Sequence, residues 1–501
     1  MYKSILITIF LILINIITIN SQDYPIIDTG QDLCYDTLNV IACSQPGETY
    51  YGQDSQYDGI EFSFQDNNDG TVTDLNTDLM WQKYLFEDKL TYDNALATAD
   101  TFSLNRYDDW RLPSIKELYS LIDFRGITGM SAVESTPFID TNYFEFRYGD
   151  ETSGERFIDA QYASSTEYVG TTMNGDFTVF GVNFADGRIK GYGTNMPDGS
   201  EKLFEVRFVR GNINYGTNSF VNNNDGTITD NSSGLMWSKS DNGIGLNWEE
   251  ALDWVYQKNQ ENYLGYNDWR LPNAKELQSI VDYSRSPQTT NSPAIDQLFE
   301  VTPIMDEGDE INYPFYWAST THADGNPQNL YVKAVYVAFG EALGFMEQPP
   351  GSGNYTLMDV HGAGAQRSDP KQGDPNDYPN GFGPQGDVIR IYNYVRLVRD
   401  GHISDVEESN SVPPGEYKLE QNYPNPFNPS TTISFLVPKN ENVSLKIFNL
   451  IGKEVDELVN EKLPAGYYSF NWNAEDQSSG IYFYKLITDS YSEMKKMILL
   501  K

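Results

Sequence analysis

The chain is poor in cysteine, histidine and positive charge. Its 501 residues include two Cys and three His, the latter at His322, His361 and His402. A Cys/His zinc site needs four such ligands at close spacing, so this composition argues against one. Lys and Arg total 34 against 72 Asp and Glu, a net charge of −38. Such a surface repels phosphate backbones and argues against a nucleic-acid partner. Sulfated glycans and anionic membranes are disfavoured for the same reason. Divalent cations, cationic partners and neutral sugars stay open. Long apolar runs are also missing beyond the N-terminus, so no later segment is expected to span a bilayer.

The N-terminus reads "MYKSILITIFLILINIITINSQ". Lys3 is the charged start, Ile5 to Ile19 the apolar stretch, and Asn20, Ser21 and Gln22 the polar exit. This pattern predicts a secretory signal peptide over residues 1–21. No Cys stands at the cleavage point, so a lipoprotein anchor is not indicated. In an exported protein the pair Cys34 and Cys43 predicts one disulfide closing a small hairpin.

Aromatics are plentiful, at 14% with 35 Tyr. They point to many short β strands, or to stacking surfaces for sugar rings.

The chain repeats itself. "NNDGTVTDLNTDLMW" (67–81) returns as "NNDGTITDNSSGLMW" (223–237), and "DDWRLPSIKELYSLID" (108–123) as "NDWRLPNAKELQSIVD" (267–282). "YASSTEY" is echoed by "WASTTHA", and "VNFADGRIKGY" (182–192) by "VAFGEALGF" (337–345). The copies close with "FEVRFVRG" and "YNYVRLVRDG". Markers in constant order mean an internal duplication. The second copy carries an insertion around 346–391.

Each copy predicts an α+β unit. Ser114/Glu117 and Asn273/Glu276 have capping-box spacing, followed by apolar residues on one helical face. An earlier helix is expected over 91–103 and again over 247–262. The remainder alternates at period two and reads as short strands.

The Asn/Asp/Gly phrase has the composition of a calcium loop. With Gly70 at the sixth position of an EF-hand, the first and twelfth fall on Gln65 and Asn76; in copy two they fall on Val221 and Ser232. The acidic end ligands are missing. A hairpin turn fits better, since Asn-Asp-Gly accommodates positive φ.

From Lys418 onward there are 9 Lys and no Arg against 10 acids, so the acidity sits in the repeats. Alternating apolar segments predict a seven-stranded β sandwich. "LEQNYPNPFNPSTTISFLVP", "VSLKIFNLIGKEV", "LPAGYYSFNWN" and "SSGIYFYKL" resemble the type A sorting domain of the type IX secretion system. The resemblance implies a bacterium of the Bacteroidota kind, an immunoglobulin-like fold, contact with the secretion machinery, and delivery to the outer surface or the medium. "NDGTVTDLNTDLMWQK", "DDWRLPSIKEL", "ASST" and "VRFVRG" resemble the Lcl C-terminal domain family, which is similar to C-type lectin-like folds. A founding member is a surface adhesin for sulfated glycans. At −38 this chain lacks the basic surface such a ligand needs.

The expected order is therefore a signal peptide (1–21), a disulfide-containing lead-in (22–60), lectin-like modules (61–212 and 217–401), a linker (402–417) and the sorting domain (418–501). Catalysis finds no support: no motif places a His or Asp beside Ser164, Ser165 or Ser319, and copy one has no His. The most suggestive polar cluster is "DVHGAGAQRSDP" in the insertion, with Asp359, His361, Arg367, Ser368 and Asp369. Its glycines predict a loop that lines a ligand pocket or holds calcium, or one tied down by an Arg–Asp pair. Trp81, Trp110, Trp237 and Trp269 recur in register and read as core. Arg111, Arg270, Arg207, Arg210, Arg396 and Arg399 read as internal partners of acids. The function expected is surface binding or adhesion, with carbohydrate as a candidate ligand. An extracellular enzyme for polysaccharide or protein and a structural surface component are the alternatives.

Overall fold

A computed structural model describes residues 24–401 except 174, 197 and 350, and residues 417–500 except 420, 423, 424, 464, 465, 475 and 476. The expected signal peptide lies outside the described residues, as does nearly all of the expected linker. The chain divides into two compact units, ending and beginning at Gly401 and His402. Both are mostly β, with few helices.

In the first unit each repeat opens with a hairpin. Phe64–Asp66, Thr71–Asp74 and Leu79–Gln82 pair antiparallel, and the closing strand Val209–Gly211 adds to their edge. Copy two repeats this with Phe220–Asn222, Thr227–Asp230, Leu235–Ser238 and Val398–Asp400. The polar side chains of the turn bond mostly within it, with Asp69 also accepting from Asn105. Asn67 donates to Thr71 and Thr73, and Asp69 accepts from the Thr71 amide; Asn223 and Asp225 do the same with Thr227 and Thr229. Asn68 and Gly70 take φ of 57° and 90°, matched by Asn224 and Gly226.

Helices Ile115–Ser120 and Ala274–Ser279 start at the expected capping boxes. The earlier pair, Tyr92–Ala99 and Trp248–Gln260, start at Thr91 and Asn247. The first of these stops four residues short of the expected end. Trp81, Trp110, Trp237 and Trp269 are all buried.

The repeats form one body. Leu118 and Ile122 of copy one lie in the same core as Leu277 and Ile280 of copy two. Each buried aliphatic contributes about 1.5–3 kcal/mol over exposure. The two helices exchange lysines: Lys116 Nζ donates to the Ser279 carbonyl at 2.7 Å, and Lys275 Nζ to the Ser120 carbonyl at 3.0 Å. The lead-in ties both copies together. Thr29 carbonyl accepts from the Phe124 amide, and Gln31 exchanges two hydrogen bonds with the Thr321 backbone. Its hairpin, Cys34–Tyr35 with Val40–Ile41, carries the Cys34–Cys43 disulfide.

A six-stranded antiparallel sheet runs through both repeats. Its order is Phe315–His322, Lys333–Ala338, Gln366–Pro370, Arg188–Gly193, Thr178–Asn183, Gln161–Glu167. Copy one supplies the last three strands. In copy two, Leu343–Glu347 is the sequence counterpart of Arg188–Gly193, but it pairs with Tyr355–Asp359 instead. The insertion strand Gln366–Pro370 takes the vacated edge of Lys333–Ala338 and meets copy one, Gln366 opposite Ile189.

The second unit has a three-stranded sheet (Lys418–Leu419, Ser430–Val437, Gly466–Asn473) and a four-stranded sheet (Glu454–Leu463, Glu441–Asn449, Gly480–Thr488, Ser492–Leu499). Ile433, Leu445, Trp472 and Leu486 share its core.

Candidate functional site

Where the repeats meet in the six-stranded sheet, a cleft of about 1710 Å³ opens beside the insertion strand. Its floor is charged. Lys190 Nζ lies 2.6 Å from Asp186 Oδ2. Arg188 Nη2 lies 2.5 Å from Asp324 Oδ2, which Lys333 Nζ also reaches at 2.6 Å. Arg367 pairs with Asp387, and His361 Nε2 stands 2.9 Å from the other oxygen of that carboxylate. Tyr192, Tyr378 and Phe382 supply the aromatic walls, while Tyr336 is buried with its ring stacked on Phe315. Phe382 is 55% exposed, with Lys333 Nζ 5.3 Å from its ring centroid.

Burial and mutual repulsion set the protonation of these groups. Burial brings Lys190 down to about 8 against the pull of Asp186. Burial and the neighbouring Arg188 bring Arg367 down to about 10. Burial would raise Asp186, but Lys190 and Arg188 outweigh it and hold the carboxyl below its usual range. His361 is held well below 6.5 by burial and by Arg367, so it is neutral. Burial brings His322 to about 3.

The expected cluster of five splits up. Arg367, Ser368 and Asp369 are in a strand, not in the loop that the glycine-rich sequence suggested. Pairing with Tyr336, Val335 and Ala334 supplies the order that the local pattern does not show. Arg367 and Ser368 line the cleft. His361 stands behind them on Asp387. Asp359 faces elsewhere: its carboxylate accepts from Tyr168 Oη at 2.8 Å and from the Gly362 amide. Burial and Glu341 push it up to about 7. Asp369 accepts from the amides of Arg390 and Ile391 and from Asn393, and burial pushes it up to about 6. No cluster of three or more acidic, His or Cys side chains suited to a metal ion occurs among the described residues.

Sequence reasoning missed Asp186, Arg188, Lys190, Asp324 and Lys333. A signal existed: aligned from Val182 and Val337, Arg188 and Lys190 stand where copy two has Leu343 and Phe345. Core positions of the repeats have matching residues, so charges confined to one copy mark something else. The recurrent arginines mostly serve the fold. Arg111 pairs with Glu117, Arg270 with Glu276, Arg210 with Asp109 and Arg399 with Asp268. Arg207 and Arg396 take no acid among the described residues; they donate to the backbone carbonyls of Lys83 and Glu145, and of Lys239 and Glu300.

The Lcl C-terminal domain matches residues 70–210 and again 226–357, together more than half of the chain. The chain belongs to the Lcl C-terminal domain family. The seam cleft thus lies between two Lcl domains, and its insertion strand lies beyond the second match. Residues 421–500 match the secretion system C-terminal sorting domain. That tail marks the protein for type IX secretion and places it on the outer surface or outside the cell. No helix among the described residues is long and apolar enough to cross a membrane. No curated protein matches the chain. Among the solved structures that match, two show low identity and low structural overlap. One is dimeric latent PorU from Porphyromonas gingivalis, at 15% identity over 34% of this chain and 18% of that one, TM-score 0.15. The other is PorZ, a bacterial surface component of the type-IX secretion system of the same organism, at 10% identity over 75% of this chain and 50% of that one, TM-score 0.13. At such TM-scores neither bears on fold or function.

Proposed function

We propose that this is a surface-displayed or secreted binding protein whose two C-type lectin-like repeats hold a carbohydrate in the cleft between them, and whose tail is an immunoglobulin-like sandwich for export. The cleft carries the reading. It is concave, has aromatic walls for stacking on sugar rings, and converges charged and polar groups on its floor. The sorting tail supports it by placing the cleft where extracellular polymers are met. The test is a glycan array probed with the intact protein, with and without calcium. Binding of a defined glycan class is expected. An array left blank in both conditions contradicts the proposal.

One contact favours a second reading, an extracellular hydrolase. Ser368 Oγ stands 2.8 Å from His322 Nδ1, whose Nε2 lies 3.0 Å from the Asp186 carbonyl. That is the arrangement of a nucleophile with its base. A histidine brought to about 3 is a weak base, however, which places binding first. Turnover of any extracellular polymer that is lost in Ser368→Ala would establish the hydrolase.

A further inference from the structure

We infer that the floor of the seam cleft is a subsite for a sugar carboxylate, so that the bound oligosaccharide carries an acidic sugar at this point. The inference rests on the binding reading above and names the ligand class of the same site.

Four cations meet on the floor, Arg188, Lys190, Lys333 and Arg367, against three carboxylates, Asp186, Asp324 and Asp387. His322 and His361 are neutral there. One buried positive charge is left over, in a chain whose total is −38. An uncompensated charge on side chains this far buried is costly and favours an anionic partner.

The unused hydrogen-bonding atoms give the partner a shape. Arg367 Nη1, Arg188 Nε and Tyr192 Oη are buried with no hydrogen-bond partner among the described residues, and so is the acceptor Asp186 Oδ1. Arg367 and Tyr192 lie near enough to act on each other's charge. Three donors and one acceptor suit a carboxylate flanked by hydroxyls better than a bare anion. The planar fork of arginine matches a carboxylate. Among the rim acids, Glu347 is turned to its own hairpin, accepting from the Gly353 amide at 2.7 Å, while Asp176 lines the wall. These acids and the acidic surface around them repel a ligand charged at every sugar. A mostly neutral chain with an isolated acidic sugar is not repelled.

The test is calorimetry of the intact protein with oligosaccharides that carry one glucuronosyl, galacturonosyl or sialyl residue, each beside its carboxyl-reduced twin, and with a short glutamate peptide. At least one acidic saccharide is expected to bind tenfold or more tightly than its twin. Tyr192→Phe removes only a hydroxyl that has no partner among the described residues; it and Arg367→Gln are expected to cut the ratio of acidic to neutral affinity to below about twofold, and a ratio that stays tenfold in both overturns the subsite. Equal affinity for acidic and reduced twins overturns the carboxylate subsite and leaves the binding reading standing. Binding of the glutamate peptide alone overturns the saccharide. Binding of none of these, with a blank glycan array, overturns both.

Discussion

Lys275 of the second repeat donates to the carbonyl of Ser120, the last helical residue of the first, at 3.0 Å. Lys116 returns the bond to Ser279 at 2.7 Å. Corresponding residues contact one another crosswise, as at a two-fold interface. Each ammonium also sits at the negative end of a helix. Lys275 further reaches the Asp28 carbonyl and lies among the charges of Asp28, Asp123, Asp74 and Asp54. Lys275→Ala would leave these groups unmatched. We expect a loss of about 3 kcal/mol, read by denaturant unfolding, with Lys116→Ala less costly because fewer acids surround it.

The same buried groups predict opposite pH slopes. Burial, with Asp28 beside it, raises Asp54 from 3.8 to about 7. The folded protein therefore keeps a proton that the unfolded chain releases, and stability falls as pH rises from about 4 to 7. Burial lowers Lys275 from 10.5 to about 7. There the unfolded chain binds the extra proton, and stability rises from pH 7 toward about 10. Asp54→Asn should flatten the acid limb and Lys275→Met the alkaline limb, measured as denaturation midpoints across pH.

The opening turns carry architecture. Asp69 and Asp225 are bonded to Thr71 and Thr227. Calcium should leave the melting temperature unchanged. Gly70→Ala forces a methyl group onto a residue at φ of 90° and should cost about 1 kcal/mol or more without altering ligand affinity.

Reduction should loosen the lead-in. The Cys34–Cys43 bridge closes a loop of nine-residue separation, for which chain entropy gives about 2–3 kcal/mol. The pair Cys34→Ser with Cys43→Ser is expected to lower stability by that order and to speed proteolysis between residues 33 and 43.

The local code was readable where it is local. Ser114 with Glu117 and Asn273 with Glu276 announce their helices, and the Asn-Asp-Gly turns announce their hairpins, because each needs only neighbouring residues. The strand Gln366–Pro370 was not readable. Its residues lack a period-two apolar pattern, and its partners are distant in sequence: Lys333–Ala338 along its length and, at Gln366, Ile189 of the other repeat. Arg207 and Arg396 were misread for a similar reason: their partners are carbonyls, which no side-chain pattern displays. The cleft follows the same rule. Arg367 comes from the insertion and Arg188 from copy one, so neither segment alone suggests a site.

The central claim is that the ligand lies in the cleft between the repeats, and Phe382 tests it most directly. It is exposed on the cleft wall, so Phe382→Ala should leave the melting temperature within a degree. For the glycan that the array identifies, we expect affinity to fall about tenfold by calorimetry, as loss of a stacking aromatic implies. Undiminished affinity in Phe382→Ala would contradict the account.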